Sequence, residues 1–295
     1  MGRQPPPVLD DALQVVGNGG GGSKDDDVTG KYVDRVYLCR QQYIDDRRLQ
    51  ARITLHENYS TNAERMMPWL FRMYDLRPDA HILDVGCGPG SLWLENQTNL
   101  PDGLQVILGD LAIGMVSAAR KYLGSGPFAF GQLDAMALPF PANHFDVVIA
   151  NFMLYHLADP LLALAEFRRV LRPAGRIYAA TNGADHMRAL RDIIRDLDAA
   201  ADVSHAGRTF SLENGKALLE LMFVDVRRTL RDDNLAVTDV EPLLDYILSM
   251  DRSEKLAADP GILRHELQTR LTRGGSIQIE KSVGFFSARK AHTWR

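Results

Sequence analysis

The chain has 295 residues, 45% hydrophobic and 24% charged, a composition that excludes a mainly disordered protein. Its 34 basic and 38 acidic residues leave a net charge of −4, so no positive excess points to nucleic acid or another polyanion. Cys39 and Cys87 are too few for a disulfide framework or a four-Cys zinc site, and no apolar run approaches the ~18 residues of a membrane span. A cytoplasmic protein without a metal or a membrane partner is the expectation.

Residues 1–29, with Pro5-Pro6-Pro7, Gly19 to Gly22 and Asp25-Asp26-Asp27, read as a flexible leader without a signal pattern. Residues 30–79 read as a helical cap. There Leu49 and Ile53 lie four apart behind Asp45 and Asp46 as helix-start carboxylates, and Met66, Trp69, Leu70 and Met73 share one helix face. From residue 80 the texture alternates. Strands are expected at 81–85, 104–110, 127–131, 145–150 and 176–181, each a short apolar run bounded by turn residues. Between the last two, Asp159 and Pro160 form an N-cap and first-turn proline; Leu164, Phe167 and Leu171 mark a buried face, and Pro173 and Gly175 close the helix. Met187, Leu190, Ile194 and Leu197 outline a further helix, and 223–228 a strand. Thr238-Asp239-Val240-Glu241 reads as a capping box for a helix burying Leu244, Ile247 and Leu248. A helix follows Pro260, and 277–289 reads as one closing strand. Alternation predicts an α/β fold with a doubly wound, mostly parallel sheet over 80–295, with cap-forming insertions near 183–212 and 235–275.

The chemistry concentrates in Asp84-Val85-Gly86-Cys87-Gly88-Pro89-Gly90. A glycine turn after the first strand lets backbone approach a ligand, and in open α/β sheets it lies at the ligand-binding end. The spacing is G-x-G-x-G, with Ser91 where a dinucleotide site would carry its third glycine. Asp110 closes the next strand, where a carboxylate accepts ribose hydroxyls. A nucleoside carrying something other than phosphates is the implied ligand, which counts against a nicotinamide oxidoreductase.

These residues resemble the class I S-adenosylmethionine-dependent methyltransferases, particularly their type 11 small-molecule branch. Residues 82–90 match the first motif and Asp110 with Gly114-Met115 the ribose motif, although Ala112 stands where members more often have Ser. Asp134-Ala135 with Leu138-Pro139-Phe140 matches the adenine motif, 145–151 with Leu154-Tyr155-His156 the fourth strand, and 171–175 the turn before the fifth. The resemblance implies a seven-stranded Rossmann-like sheet, S-adenosylmethionine as cofactor and S-adenosylhomocysteine as product. It implies cofactor contacts from Asp84 (ammonium, through water), Gly86, Cys87, Gly88 and Gly90, and from Asp110 and Leu111 at the ribose. Met115 would pack on adenine, Asp134 and Ala135 would bond its edge, and Asn151 would approach the methionine part. The Cys87 thiol is expected to pack rather than to react.

His156 is the candidate base, with Tyr155 as second catalytic candidate; positioning or structural roles for His156 stay open. An Asn-Phe-Met-Leu run at 151–154 lacks the proline pair of exocyclic-amine methyltransferases, and no Pro-Cys dipeptide supports covalent cytosine chemistry. A small-molecule acceptor in specialised biosynthesis follows, with O-methylation slightly ahead of N- or C-methylation, on a monomer or homodimer. Tyr59, Trp69, His156 and Tyr246 are the candidate acceptor-binding residues, with Phe71, Tyr74 and Phe210 as further aromatics for a pocket roof. The alternative is a scaffold or sensor that keeps the fold without catalysis.

Overall fold

Asp34 caps the first turn of the cap: its carboxylate accepts the Val36 and Tyr37 N–H groups and starts the turn Arg35–Tyr37, which runs into a π-helical segment, Leu38–Gln42. The structure is a computed structural model that describes residues 33–201, 209–250 and 253–292, so the leader at 1–29 and part of the 183–212 insertion lie outside the described residues. Helix α1 (Arg47–Tyr59) and helix α2 (Met66–Arg72) complete the cap. Of the two expected starter carboxylates, Asp45 accepts the Arg47 N–H at 3.1 Å, whereas Asp46 instead takes the Tyr122 hydroxyl.

The alternating region follows as β1 (His81–Val85), α3 (Ser91–Leu94), β2 (Gln105–Asp110), α4 (Ile113–Leu123), β3 (Phe128–Gln132), β4 (Phe145–Ile149), α5 (Pro160–Val170) and β5 (Leu171–Asn182). Asp159 caps α5 through the Leu161 N–H at 2.9 Å, with Pro160 at the first helical position, as its sequence required. Leu171 departs from expectation. It leaves the helix and opens β5.

The remainder comprises α6 (Arg188–Leu197), α7 (Gly215–Glu220), β6 (Val224–Arg231), β7 (Asn234–Val237), α8 (Val240–Ser249), α9 (Glu254–Ala258), α10 (Pro260–Gly274), β8 (Ile277–Glu280) and β9 (Val283–Arg289). Two expectations need correction here. The cap of α8 is Asp239, which accepts the Glu241 N–H, rather than Thr238. Residues 277–289 form two strands, because β8 leaves the main sheet to pair with β7. The short β7 carries too little pattern to stand out in sequence.

The seven-stranded sheet has the order β3-β2-β1-β4-β5-β9-β6, with β9 antiparallel to both neighbours and the pairs from β3 through β5 parallel. It is the doubly wound Rossmann-like fold expected from the alternation. Chain order reverses between β1 and β4, and the crevice beyond their carboxyl ends is the switch point where such sheets bind ligands. Both faces are covered: Leu83, Val85 and Val148 pack with Phe167 and Phe210, while Ile82, Val147 and Ile149 pack with Trp69 and Trp93. A third core joins α1 to α6, α8, α10 and the two-stranded β7–β8 sheet through Leu55, Ile194, Leu235, Leu243, Leu267 and Ile279. This lobe stands over the switch point.

Candidate active site

The glycine turn is tied to β2 before any ligand is considered. Gly109 carbonyl accepts the Gly86 and Cys87 N–H groups at 2.7 and 3.1 Å, and Asp110 Oδ2 accepts the Gly88 N–H at 3.0 Å. Gly86 has φ +68°, and a methyl group there would lie 2.6 Å from the Met153 Cβ. Gly88, at φ +55°, faces open space bounded by Leu49 of α1 at 3.7 Å. Gly90 differs from its expected role. It lies outside the cavity wall and a methyl there would meet Leu123 at 2.8 Å, so it serves helix packing rather than ligand contact.

A cavity of about 480 Å³ runs from this turn to the lobe. Asp84, Gly86, Cys87, Gly88, Asp110, Leu111, Met115, Asp134, Ala135 and Asn151 line one end. Asp84 is 3% exposed and accepts the Trp93 indole N–H at 2.8 Å; burial pushes its carboxyl up to about 7. Burial also raises Asp110, opposed by the backbone N–H groups of Ala112 and Gly88. Burial carries the Cys87 thiol well above its ordinary range, which suits packing and not nucleophilic attack. Asn151 reaches the wall, but its amide bonds the Tyr74 hydroxyl and accepts the Ala180 N–H, tying β4 to β5 and the cap.

The cap closes over this end. Arg35 pairs with Asp134 at 2.8 Å, Cys39 Sγ donates to the Leu111 carbonyl, and the Ile44 carbonyl lies where only Gly114 leaves room. Tyr43, from the end of the π-helical segment, bonds His156 Nε2 through its hydroxyl at 3.1 Å. His156 and Tyr155 sit in the one-turn helix after β4, their rings 4.6 Å apart, and both line the cavity. Burial raises the Tyr155 phenol far beyond its usual range, so it remains a neutral wall residue and not a base. Phe152, between Asn151 and Met153, holds φ +55°, an uncommon conformation for a bulky residue, beside this site.

At the other end the structure keeps one expected aromatic and removes the rest. Tyr246 is buried, lines the cavity and meets the His56 ring edge-on at 5.6 Å. Tyr59 packs into the lobe core instead, and Trp69 packs edge-on to Phe285 in the sheet core. Phe71, Tyr74 and Phe210 are likewise absorbed by core packing, against Trp93, Tyr178 and Phe286. Helical spacing identifies an apolar face but not whether that face meets a core or a cavity.

Sequence reasoning missed His56, His186 and Lys281, which reach the cavity from α1, the loop after β5 and the β8–β9 turn. Burial holds the His56 imidazole down to about 3, hence neutral, and its Nδ1 has no hydrogen-bond partner. No motif carried these positions. They converge only through the third core.

The comparisons with known proteins agree with this geometry. Residues 83–179 match the family described as "Methyltransferase domain". Over 105 residues the chain is 39% identical to a demethylmenaquinone methyltransferase of Symbiobacterium thermophilum, covering 34% of this chain and 41% of that protein. It is 36% identical over 106 residues to a ubiquinone/menaquinone biosynthesis C-methyltransferase of Teredinibacter turnerae, covering 35% and 43%. The match spans less than half the length of these relatives. Haemonchus contortus phosphoethanolamine N-methyltransferase 2, solved with S-adenosylhomocysteine, is similar in fold at TM-score 0.56 and 18% identity, covering 88% of this chain and 60% of that one.

Proposed function

We propose that this chain, whose residues 83–179 match a methyltransferase domain, is a class I S-adenosylmethionine-dependent methyltransferase that acts on a small molecule bound beneath the lobe. One observation carries the reading: a single cavity joins the glycine turn and the Asp84, Asp110 and Asp134 carboxylates to an acceptor chamber containing His156. The residues fit the cofactor. Gly88 leaves open space beside the turn, Asp110 is positioned for ribose hydroxyls, and buried Asp84 suits an ammonium group. At the adenine end, an exocyclic amine would share Asp134 with Arg35 or displace it.

Bound S-adenosylmethionine supplies an electrophilic methyl group on a positive sulfur. The chain's task is alignment, exclusion of water and removal of an acceptor proton. The cap and lobe enclose the chamber, and Met66, Met153, Met187 and Leu190 give it apolar walls. His156 Nε2 takes the proton of an acceptor hydroxyl, exchanging its Tyr43 partner for that hydroxyl. An ionised phenol shares its charge between oxygen and the ortho and para ring carbons, and an enolate between oxygen and the α-carbon, so this base serves either target. Oxygen as the favoured target has no support from relatives named for carbon methylation.

His156→Ala should lower methyl transfer to a hydroxylated acceptor by about 10²–10⁴-fold with S-adenosylhomocysteine affinity unchanged. A labelled-methyl assay across an acceptor library, alongside calorimetry, measures both. Full transfer by the variant removes the base, and cofactor uptake without transfer to any acceptor favours a sensor.

Asp84 makes cofactor affinity pH-dependent. An ammonium pairs with the carboxylate form, so below pH 7 the proton must leave on binding. S-adenosylhomocysteine affinity should therefore rise up to about tenfold per unit toward pH 7 and flatten above it, with the slope lost in Asp84→Asn. Without ligand the sign reverses: the folded state holds a proton that the unfolded chain releases near pH 4. Stability from this group is consequently lost as pH climbs from about 4 to 7. A flat affinity profile in the unmodified protein contradicts the assignment.

A further inference from the structure

The cavity is electrically divided. Asp84, Asp110 and Asp134 occupy the end that suits a cationic cofactor, whereas the acceptor end is predominantly basic. There Arg65 pairs with Glu57 and Glu95, two carboxylates against one guanidinium. Arg52, Arg231 and Lys281 also line this end, where Asp233 is the one further carboxylate among the described lining residues. Taking these seven groups, four cations against three anions leave a surplus of one positive charge.

Three of these groups form a built and buried cluster. The side chains of Arg231, Asp233 and Lys281 are 1%, 1% and 3% exposed. Asp233 is held by the Ser60 hydroxyl at 2.6 Å and the Asn62 N–H at 3.2 Å, and it accepts the Lys281 ammonium. Arg231 lies over the Trp69 ring at 5.3 Å, donates Nη2 to the Glu64 carbonyl and approaches Asp233 through Nε at 3.4 Å. Its Nη1 has no partner. Next to the cluster, the His56 Nδ1 is also unpartnered. The His186 Nδ1 accepts the Ser282 N–H, which leaves its proton on Nε2 when the ring is neutral. A buried guanidinium N–H without an acceptor is an expense the fold carries, and a ligand oxygen removes it.

We propose that the acceptor is an acid, an apolar or aromatic small molecule whose anionic oxygen group seats on Arg231 Nη1 and Lys281 while its reactive end faces His156. This specifies the substrate class of the methyl-transfer reading above and rests on it. The Met66, Met187, Leu190 and Tyr246 side chains enclose the molecule's body. Anchoring the anion away from the glycine turn sets which end of the acceptor reaches the cofactor, so the cluster determines orientation as well as affinity.

The test titrates para-hydroxybenzoate, para-hydroxyphenyl phosphate and the neutral para-hydroxybenzamide into the full chain, with and without saturating S-adenosylhomocysteine. The acids should bind at least about tenfold more tightly than the amide, with the preference shrinking as salt rises. Comparing benzoate with phosphate identifies which anion the cluster takes. Lys281→Gln and Arg231→Gln should each abolish the preference while S-adenosylhomocysteine affinity stays within about twofold. Should the Arg231 variant fail to fold, Lys281→Gln reads the same preference. Equal binding of amide and acids, or an undiminished preference in the folded variants, overturns the proposal. Absence of S-adenosylhomocysteine binding with acid preference retained would instead overturn the cofactor reading alone.

Discussion

Asp110→Ala should weaken S-adenosylhomocysteine binding by about 10²–10⁴-fold, the largest effect expected of any single cofactor-site change. Each charged hydrogen bond to a ribose hydroxyl contributes about 1.5–3 kcal/mol, and two of them account for that range. The carboxylate also organises the site, because its two oxygens accept the Gly88 and Ala112 N–H groups at 3.0 and 2.9 Å. Removing it detaches the glycine turn from the start of α4 as well as from the ligand. Asp110→Asn separates the two contributions, since its amide nitrogen cannot accept and only one side stays satisfied. Calorimetry should place Asn between the native protein and Ala. An Ala variant within tenfold of native affinity would remove Asp110 from the nucleoside site.

The second large effect concerns the fold. Gly86→Ala should destabilise the chain by about 2–5 kcal/mol, measurable as a reduced urea midpoint with unchanged slope. Left-handed backbone disfavours a residue with a side chain by about 1–2 kcal/mol, and overpacking against buried neighbours adds roughly 1–3 kcal/mol. Both apply here: φ is +68°, and the added methyl would lie 2.6 Å from the Met153 Cβ on the segment following β4. Met153 belongs to the cavity wall and precedes His156 by three residues. The same substitution should therefore disturb the segment that carries His156, so methyl transfer through the proposed base falls even where the fold survives. A variant as stable as the native protein would show that the turn and Met153 relax independently.

The cofactor end was largely legible because its determinants are local. A strand, a glycine turn and an acid at the end of the next strand are written within residues 81–110, and parallel pairing of β1 with β2 brings Asp84 and Asp110 to one edge. Gly90 shows the limit of this reading. It belongs to the motif, but its contact is with Leu123. Asn151 shows another, since its partner Tyr74 lies 77 residues away.

The acceptor end was not legible. Tyr43 meets His156 across 113 residues, and Ser60 meets Asp233 across 173. Tyr59 and Trp69 carried the same aromatic signal as Tyr246, yet of the three only Tyr246, which also packs in the lobe core, lines the cavity.

What the amino-acid order alone determined is the alternating α/β layout, the Asp159–Pro160 helix start, the glycine turn and its companion carboxylates. Those depend on periodicity, caps and backbone freedom, which act over a few residues. Only the tertiary structure decided that β7 and β8 pair with each other outside the main sheet, and that α1 and the lobe enclose one chamber with a basic pole. Charge and burial at Arg231, Asp233 and Lys281 arise when distant segments are brought into a shared low-dielectric interior, and a linear pattern holds no record of that meeting.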